Sequence, residues 1–419
     1  MPTRVAVLAT LDTKGEEVSF LVAEITAAGA EARVVDVGLG ETDVAAEVTA
    51  DEVAASAGRS LVDVRRLPRD EAMAAMGDGA GRRLVEWHAR SELDGVIAVG
   101  GNQGTAIAAM AMRQLPFGPA KLIVSTVASG NVRAYVGDSD IAMQFSVADL
   151  LGGPNAVTVD VLRKAAAAIV AMSGVAMSGV AASPDEGGRD TVAVTAFGNT
   201  EPAVVVAMSE LRTGGFEVIP FHASGACGSA MERLVDEGRI GAVLDLTVHE
   251  LLGELHPQDI YAPVRAGRLT AAGRRGAPQV VVPGGLEYFC FGGPDTIPPA
   301  YRDRPTHIHN PYNTNVRTTH AELEQVAHLM ADRLNAALGP VAVLVPSLGW
   351  SYVGSPGQVL HDPEANSALV KVLEERLEPH IPLRVVEATI NDEEFARAAA
   401  TTLTDLVRRA RRAPQGHQP

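Results

Sequence analysis

Three turns rich in glycine and hydroxyl groups carry most of the chemistry this sequence offers. Gly100-Gly101-Asn102-Gln103-Gly104-Thr105 follows the apolar run Val96–Val99 and leads into the amphipathic stretch Ala106–Leu115. Glycines there let the backbone approach an oxygen-rich group, and the free N–H groups of a helix start supply the positive end of its dipole. The segment therefore reads as a phosphate cradle, with a tight strand-to-helix turn as the plain alternative. A Cβ at Gly101 would block the approach or strain a positive φ. The segment is neither a Walker A loop, lacking Gly-Lys-Ser/Thr, nor the dinucleotide pattern Gly-x-Gly-x-x-Gly. Upstream, Leu11-Asp12-Thr13-Lys14-Gly15-Glu16 closes the first apolar run. It reads either as a capping box, with Thr13 as N-cap and Glu16 three residues on, or as a loop that also holds ligand through Asp12, Thr13 and Lys14. Four of the 35 basic side chains are lysines, and one of them stands here as a compact cation suited to phosphate. Ser125-Thr126-Val127-Ala128-Ser129-Gly130-Asn131 adds Thr126, Ser129 and Gly130 after another buried run. Asp138 and Asp140 then offer carboxylates for Mg²⁺ or a ribose hydroxyl, against the alternative of a solvated turn.

The second half presents further polar turns at the ends of apolar runs. Phe221-His222-Ala223-Ser224-Gly225-Ala226-Cys227-Gly228 can hold a second anion, while Asp245 to Glu250 and Val282 to Glu287 end two more runs. His222, Asp245, Glu250 and His309 are the candidate catalytic or substrate-holding residues, expected to line an interdomain cleft that takes a small molecule. His307 and His309 alternate and so share one strand face, but no third metal ligand is evident beside them. Cys227 and Cys290 are the only cysteines, too few for a disulfide framework, and read as small buried residues. Arg317-Thr318-Thr319 and Ile390-Asn391-Asp392 open helices as caps.

The elements that must position these groups alternate. Val5–Thr10, Val34–Val37, Val96–Val99 and Leu122–Ser125 are strand-like and are separated by amphipathic stretches, which implies an α/β fold with mostly parallel sheets. A long helix is expected over 155–181, and Ser183 to Gly188 reads as a linker. Beyond it the opening pattern recurs, as Val192–Ala196, a polar turn, a helix ending near Gly214-Gly215 and the strand Glu217–Phe221. The chain is thus expected to be internally duplicated, with Rossmann-like domains over 1–184 and 190–412 and a disordered tail over 413–419. A net charge of −16 opposes a general affinity for nucleic acid or anionic lipid, and no apolar run reaches the ~18 residues of a membrane span. No secretory signal opens the sequence, so the cytoplasm is the expected location.

These motifs resemble the ATP-binding domain family of the tomato mosaic virus RNA replication inhibitor, whose bacterial members are largely uncharacterised stand-alone proteins. The likeness covers nearly the whole chain and rests on Leu11–Gly15, Gly100–Thr105, Val136–Asp140, Phe221–Gly225, Asp245–Thr247, His309–Pro311 and Ile390–Asp392. Asn102-Gln103 and Ala226-Cys227 depart from the family pattern without touching its glycines. The resemblance implies two Rossmann-like domains, ATP with Mg²⁺ on the N-terminal one, and self-association as a homodimer; it implies no reaction. The expected function is an ATP-dependent enzyme performing phosphoryl transfer or carboxylate activation on a small metabolite. The alternatives are a non-catalytic ATP-binding regulatory module, or a phosphometabolite enzyme that needs no nucleotide.

Overall fold

The computed structural model describes residues 2–175 and 190–412. The linker expected over 183–188 and the tail over 413–419 lie outside the described residues, as do residues 176–181, whereas the helix expected over 155–181 runs from Thr158 and ends at Ser173. The chain divides into two compact units, Met1–Ser178 and Gly179–Pro419.

The N-terminal unit runs β1 (Arg4–Ala9), α1 (Leu11–Ala27), β2 (Glu31–Asp36), α2 (Ala50–Ser56), α3 (Leu61–Val64), α4 (Arg69–Ala89), β3 (Gly95–Gly100), α5 (Asn102–Met112), β4 (Ala120–Ser125), α6 (Arg133–Val136), β5 (Ala142–Phe145) and α7 (Thr158–Ser173). All neighbouring strands are parallel, in the order β2-β1-β3-β4-β5. Alternate residues of each strand enter different cores. Ala6, Leu8, Val96, Ala98 and Ile123 pack on the side of α4 and α5, whereas Val5, Val7, Ile97, Val99 and Val124 pack on the side of α1 and α7. Burial on both faces is why these strands are unbroken apolar runs rather than alternating ones.

The C-terminal unit repeats the plan and extends it. Its elements are β6 (Thr191–Ala196), α8 (Glu201–Thr213), β7 (Glu217–His222), α9 (Ala226–Asp236), β8 (Ala242–Thr247), α10 (Glu250–Leu255), α11 (Ala271–Arg275), β9 (Gln279–Gly284), β10 (Tyr288–Phe291), β11 (Thr306–Asn310), β12 (Asn313–Arg317), α12 (His320–Asn335), β13 (Val341–Pro346), α13 (Pro363–Arg376), β14 (Leu383–Val386) and α14 (Glu393–Arg412). Six strands form a parallel sheet ordered β14-β13-β9-β8-β6-β7, the same winding as the first unit with one strand more. Between β9 and β13 the chain inserts an antiparallel sheet, β10-β12-β11, that the strand–helix alternation did not announce. The last helix shows why position follows sequence here. Phe395, Ala399, Leu403 and Val407 recur at one-turn spacing and are buried, and the arginines of its last turn face the negative end of its dipole. Among the described residues no helix is long and apolar enough to cross a membrane.

Candidate functional site

In an open α/β sheet the chain leaves adjacent strands in opposite directions at one place, and a crevice opens there beyond the carboxyl ends of the strands. In the N-terminal unit this switch point lies between β1 and β3, and the turns singled out in the sequence meet around it. Gly104 on the first turn of α5 lies near Thr10, since a Cβ there would sit 3.9 Å from the Thr10 hydroxyl. Thr126 N–H donates to the Gly100 carbonyl at 3.3 Å, and Thr105 Oγ1 and Ser125 Oγ are hydrogen-bonded at 2.6 Å. Ser129 and Gly130 lie exposed on the turn beyond.

Helix α5 starts on Gly101 with no side chain capping it. The nearby polar side chains turn elsewhere: Asn102 accepts from the Tyr135 hydroxyl at 2.9 Å and Gln103 from Arg69 at 2.8 Å. The two glycines have different duties. A Cβ on Gly100 would lie 2.9 Å from backbone atoms of Gly104 and Thr105, so this residue makes the tight turn. Gly101 has φ −80° and ψ −157°, not the positive φ expected, and a Cβ there would meet only Thr126 Oγ1 at 3.7 Å. Its side of the turn is open.

The loop after β1 differs from a capping box. The helix begins at Leu11, Thr13 hydrogen-bonds back to the Thr10 hydroxyl at 2.9 Å, and Lys14 has non-helical angles with its ammonium 3.5 Å from the Thr13 carbonyl. Asp12 and Thr13 are exposed. Next to them is a cavity of about 790 Å³ lined by Asp12, Asp36, Thr42, Asp43, Asp51 and Arg65, among others. Asp36, unmarked in the sequence reading, accepts from Leu11 N–H at 3.1 Å and Gly38 N–H at 2.8 Å, and burial raises its pKa above the usual carboxylate value. An acid ending the second strand was its only sequence signal.

Asp138 and Asp140 are a correction. The Ala142 that opens β5 pairs with Leu122 near the start of β4, so these acids sit at the amino edge of the sheet, away from the phosphate turns. Asp140 is spent on Lys121, whose buried ammonium also meets the carbonyls of Pro116 and Pro119. The chain descends beside α5 before reaching them, with Tyr135 against Asn102 and Gly137 against Arg113.

In the C-terminal unit the switch point falls between β6 and β8. Here the positions are filled from within. Glu250 Oε1 accepts from Gly225 N–H at 2.9 Å and Gly228 N–H at 3.2 Å, so a carboxylate of the chain already occupies the place at the start of α9 where an outside anion was expected. Its other oxygen meets Arg268 Nε at 2.7 Å. The same guanidinium reaches Glu232 at 2.6 Å and both oxygens of Asp245 at 2.9 and 3.1 Å, with Arg268 wholly buried. Asp245 and Glu250 thus act as structural anions. His222 is exposed and stacks on Phe197, with ring centres 5.1 Å apart, and burial of its inner side lowers its pKa. His309 lies exposed on β11 with its ring 6.4 Å from that of His307.

What the sequence reading missed is below this surface. His249, Asp259 and Cys290 come together, all buried, with His249 Nδ1 2.7 Å from the Gly285 carbonyl and Nε2 3.1 Å from Asp259 Oδ2. The rings of Phe197 and Tyr288 lie 5.1 and 5.6 Å from that of His249. Burial alone would lower the imidazole pKa, but Asp259 and then Cys290 outweigh it and hold it well above its usual value. Burial pushes the Cys290 thiol up.

Glu287 is a further buried acid of this unit. It accepts from Trp350 N–H and the Ser351 hydroxyl, each at 2.8 Å, and burial pushes it up to about 7 against the pull of Arg317. A raised carboxylate pKa keeps a proton on the folded chain that the unfolded chain has released. Stability is therefore lost as pH rises from the usual glutamate value of 4.5 to about 7, at about 1.4 kcal/mol per pH unit and about 3 kcal/mol at most. Glu287→Gln should flatten that slope, measured by urea unfolding at pH 5 and pH 8; an unchanged slope would assign the titration to another group.

Fold and site together define a two-unit, doubly wound α/β protein with an open, glycine-rich switch point in its first unit and an internally filled one in its second. The comparisons agree with this division. Residues 3–177 match the family described as "Uncharacterised protein family (UPF0261) N-terminal domain", and residues 189–407 match its C-terminal domain. The chain belongs to the UPF0261 family. A UPF0261 protein of Clostridium tetani is 36% identical over 97% of this chain and 100% of its own length. The "ToMV susceptible protein tm-1(GCR26)" of Solanum lycopersicum is 34% identical over 96% of this chain, which spans 56% of that protein. The "ToMV resistance protein Tm-1(GCR237)" of the same plant is 35% identical over 84% of this chain and 46% of its own length.

Proposed function

We propose that the N-terminal unit binds a nucleotide phosphate, ATP with Mg²⁺, and that the chain is an ATP-dependent enzyme acting on a small metabolite. One observation carries the reading: the uncapped start of α5, approached through Gly101, at the β1/β3 switch point. The residues present fit the group. Backbone N–H groups of Asn102, Gln103 and Gly104 and the cation of Lys14 suit phosphate oxygens, and the nearby acidic cavity suits ribose hydroxyls. In this reading Asp12, exposed on the β1 loop with its Oδ2 accepting from Gly40 N–H at 2.9 Å, takes over from Asp138 and Asp140 as the carboxylate for a phosphate-bound Mg²⁺. Bound ATP would supply an activated phosphoryl group, and the chain would contribute positioning and electrostatic stabilisation.

Lys14→Ala tests this directly. The side chain is only partly buried and makes no contact that holds the fold, so ATP affinity by calorimetry should fall about tenfold with an unchanged melting temperature. Equal affinity would leave Lys14 a surface residue. A second reading, a non-catalytic ATP-binding module, is favoured by Glu250 filling the anion position of the second unit. ATP turnover in the presence of small acids, alcohols and cell metabolites separates the two: none with any of them favours the module.

A further inference from the structure

His249, Asp259 and Cys290 belong to three separate segments: the turn after β8, the loop after α10 and the middle of β10. A ring nitrogen of His249, a carboxylate oxygen of Asp259 and the sulfur of Cys290 nevertheless lie within 4.8 Å of one another, and all three residues are buried. We infer that the C-terminal unit has a zinc-type divalent metal site formed by His249, Asp259 and Cys290, with the fourth position taken by water.

The orientation of the imidazole is the first support. Nδ1 is fixed on the Gly285 carbonyl at 2.7 Å, which leaves Nε2 to face Asp259. A metal-bound histidine is held this way, donating its other N–H to a carbonyl or carboxylate. The same fact argues against a Cys-His-Asp nucleophile. Such a relay needs the thiol on one ring nitrogen and the carboxylate on the other, and a backbone carbonyl holds the second nitrogen here.

The other two ligands are steered as well. Asp259 Oδ1 accepts from Tyr261 N–H at 2.8 Å and Oδ2 from Cys290 N–H at 2.8 Å. Asn315 Nδ2 donates to Cys290 Sγ at 3.2 Å, while its Oδ1 is buried with no hydrogen-bond partner. A metal-bound water would supply that carbonyl with a donor. The metal type follows from the donors. Mg²⁺ and Ca²⁺ take oxygen ligands, whereas an imidazole, a thiolate and a carboxylate together suit Zn²⁺, for which three protein ligands and one water form an open site. Tetrahedral bonds of about 2.0–2.3 Å separate ligand atoms by roughly 3–4 Å. The 3.1 Å between Nε2 and Oδ2 already meets this, so small rotations of the side chains complete the set. Binding expels the Nε2 proton and the thiol proton to solvent, and no electron is transferred.

The full-length protein, stripped with a chelator, is titrated with Zn²⁺ by calorimetry and with Co²⁺ by absorption. One Zn²⁺ per chain and a thiolate-to-Co²⁺ charge-transfer band are expected. Cys290→Ser should abolish the band and weaken Zn²⁺ binding by at least about tenfold. Asp259→Asn should weaken binding while keeping the band, which guards against a Cys290→Ser chain that does not fold. Cys227 is exposed, not buried as the sequence suggested, and of the two β11 histidines His309 is exposed and His307 half-buried. A variant combining Cys227→Ser, His307→Ala and His309→Ala should therefore bind as the parent does. Absence of stoichiometric Zn²⁺ uptake by folded protein would overturn the inference. So would a band that survives Cys290→Ser or disappears in the triple variant.

Discussion

Gly101→Val should remove ATP binding and leave the fold nearly as stable as before. Residue 101 has extended backbone angles that a β-branched side chain adopts readily, and its Cβ would touch only Thr126 Oγ1 at 3.7 Å. The stability cost should stay within about 1 kcal/mol, a shift of a few degrees in melting temperature for a unit of this size. The valine methyls would instead fill the approach to the N–H groups of Asn102, Gln103 and Gly104, where a phosphate oxygen must come within hydrogen-bond distance. We expect affinity to fall by more than about a hundredfold, a loss of about 3 kcal/mol. Gly100→Ala is the opposite case. Its Cβ would be 2.9 Å from the Cα and carbonyl carbon of Gly104 and from Thr105 N. Backbone rather than a flexible side chain would have to move, at about 1–3 kcal/mol. Melting temperature and ATP affinity measured on the same preparations separate these effects. A Gly101→Val protein that binds ATP normally would remove the phosphate cradle; one that fails to fold would make Gly101 a packing residue as well.

The contrast between these two glycines also marks how far the sequence could be read. Strands β1, β3 and β4 were legible because burial on both faces leaves an unbroken apolar run. The turns after them were legible because glycine and hydroxyl residues at strand ends have few other uses. The repeat of the winding in the second unit could be seen for the same reasons. Placement of side chains depended on register and on distant partners. Asp138 and Asp140 follow the β4 turn in sequence, but the chain first descends beside α5, and only the Leu122–Ala142 pairing puts them on the far edge. Glu250 reads as an acid opening a short helix until Gly225 and Gly228, on the previous α/β turn, are seen to donate to it. His249, Asp259 and Cys290 have no motif spacing because an inserted antiparallel sheet supplies the third of them.

Arg268 was invisible for a related reason, since an arginine in a Gly-Arg-Leu turn reads as solvated, and its replacement should have the largest effect on stability. Its three guanidinium nitrogens each serve a different carboxylate: Nε on Glu250, one terminal nitrogen on Glu232 and the other on Asp245. Those acids in turn hold backbone. Glu232 accepts from the N–H groups of Leu269 and Ala271 at 2.6 and 2.8 Å, and Glu250 from Gly225 and Gly228. Arg268→Ala would leave three buried carboxylates facing one another without a cation. Removing one partner of a buried pair costs about 3–5 kcal/mol, and this site should lie at or above the upper end at neutral pH. The pH dependence gives the mechanism away. Burial already raises the pKa values of Glu232 and Glu250 with Arg268 in place, and its loss must raise them further. Acids with raised folded pKa values favour the folded state at low pH and oppose it as pH rises through the window above 4.5. The variant should therefore recover part of its deficit at pH 5 relative to pH 8. Arg268→Lys should regain little, because a single ammonium cannot span three carboxylates in the plane that the guanidinium fork fits. Urea unfolding of both variants and the parent at the two pH values tests the network. A deficit below about 1 kcal/mol, or one that is the same at both pH values, would mean that the carboxylates are held by their backbone donors and not by Arg268.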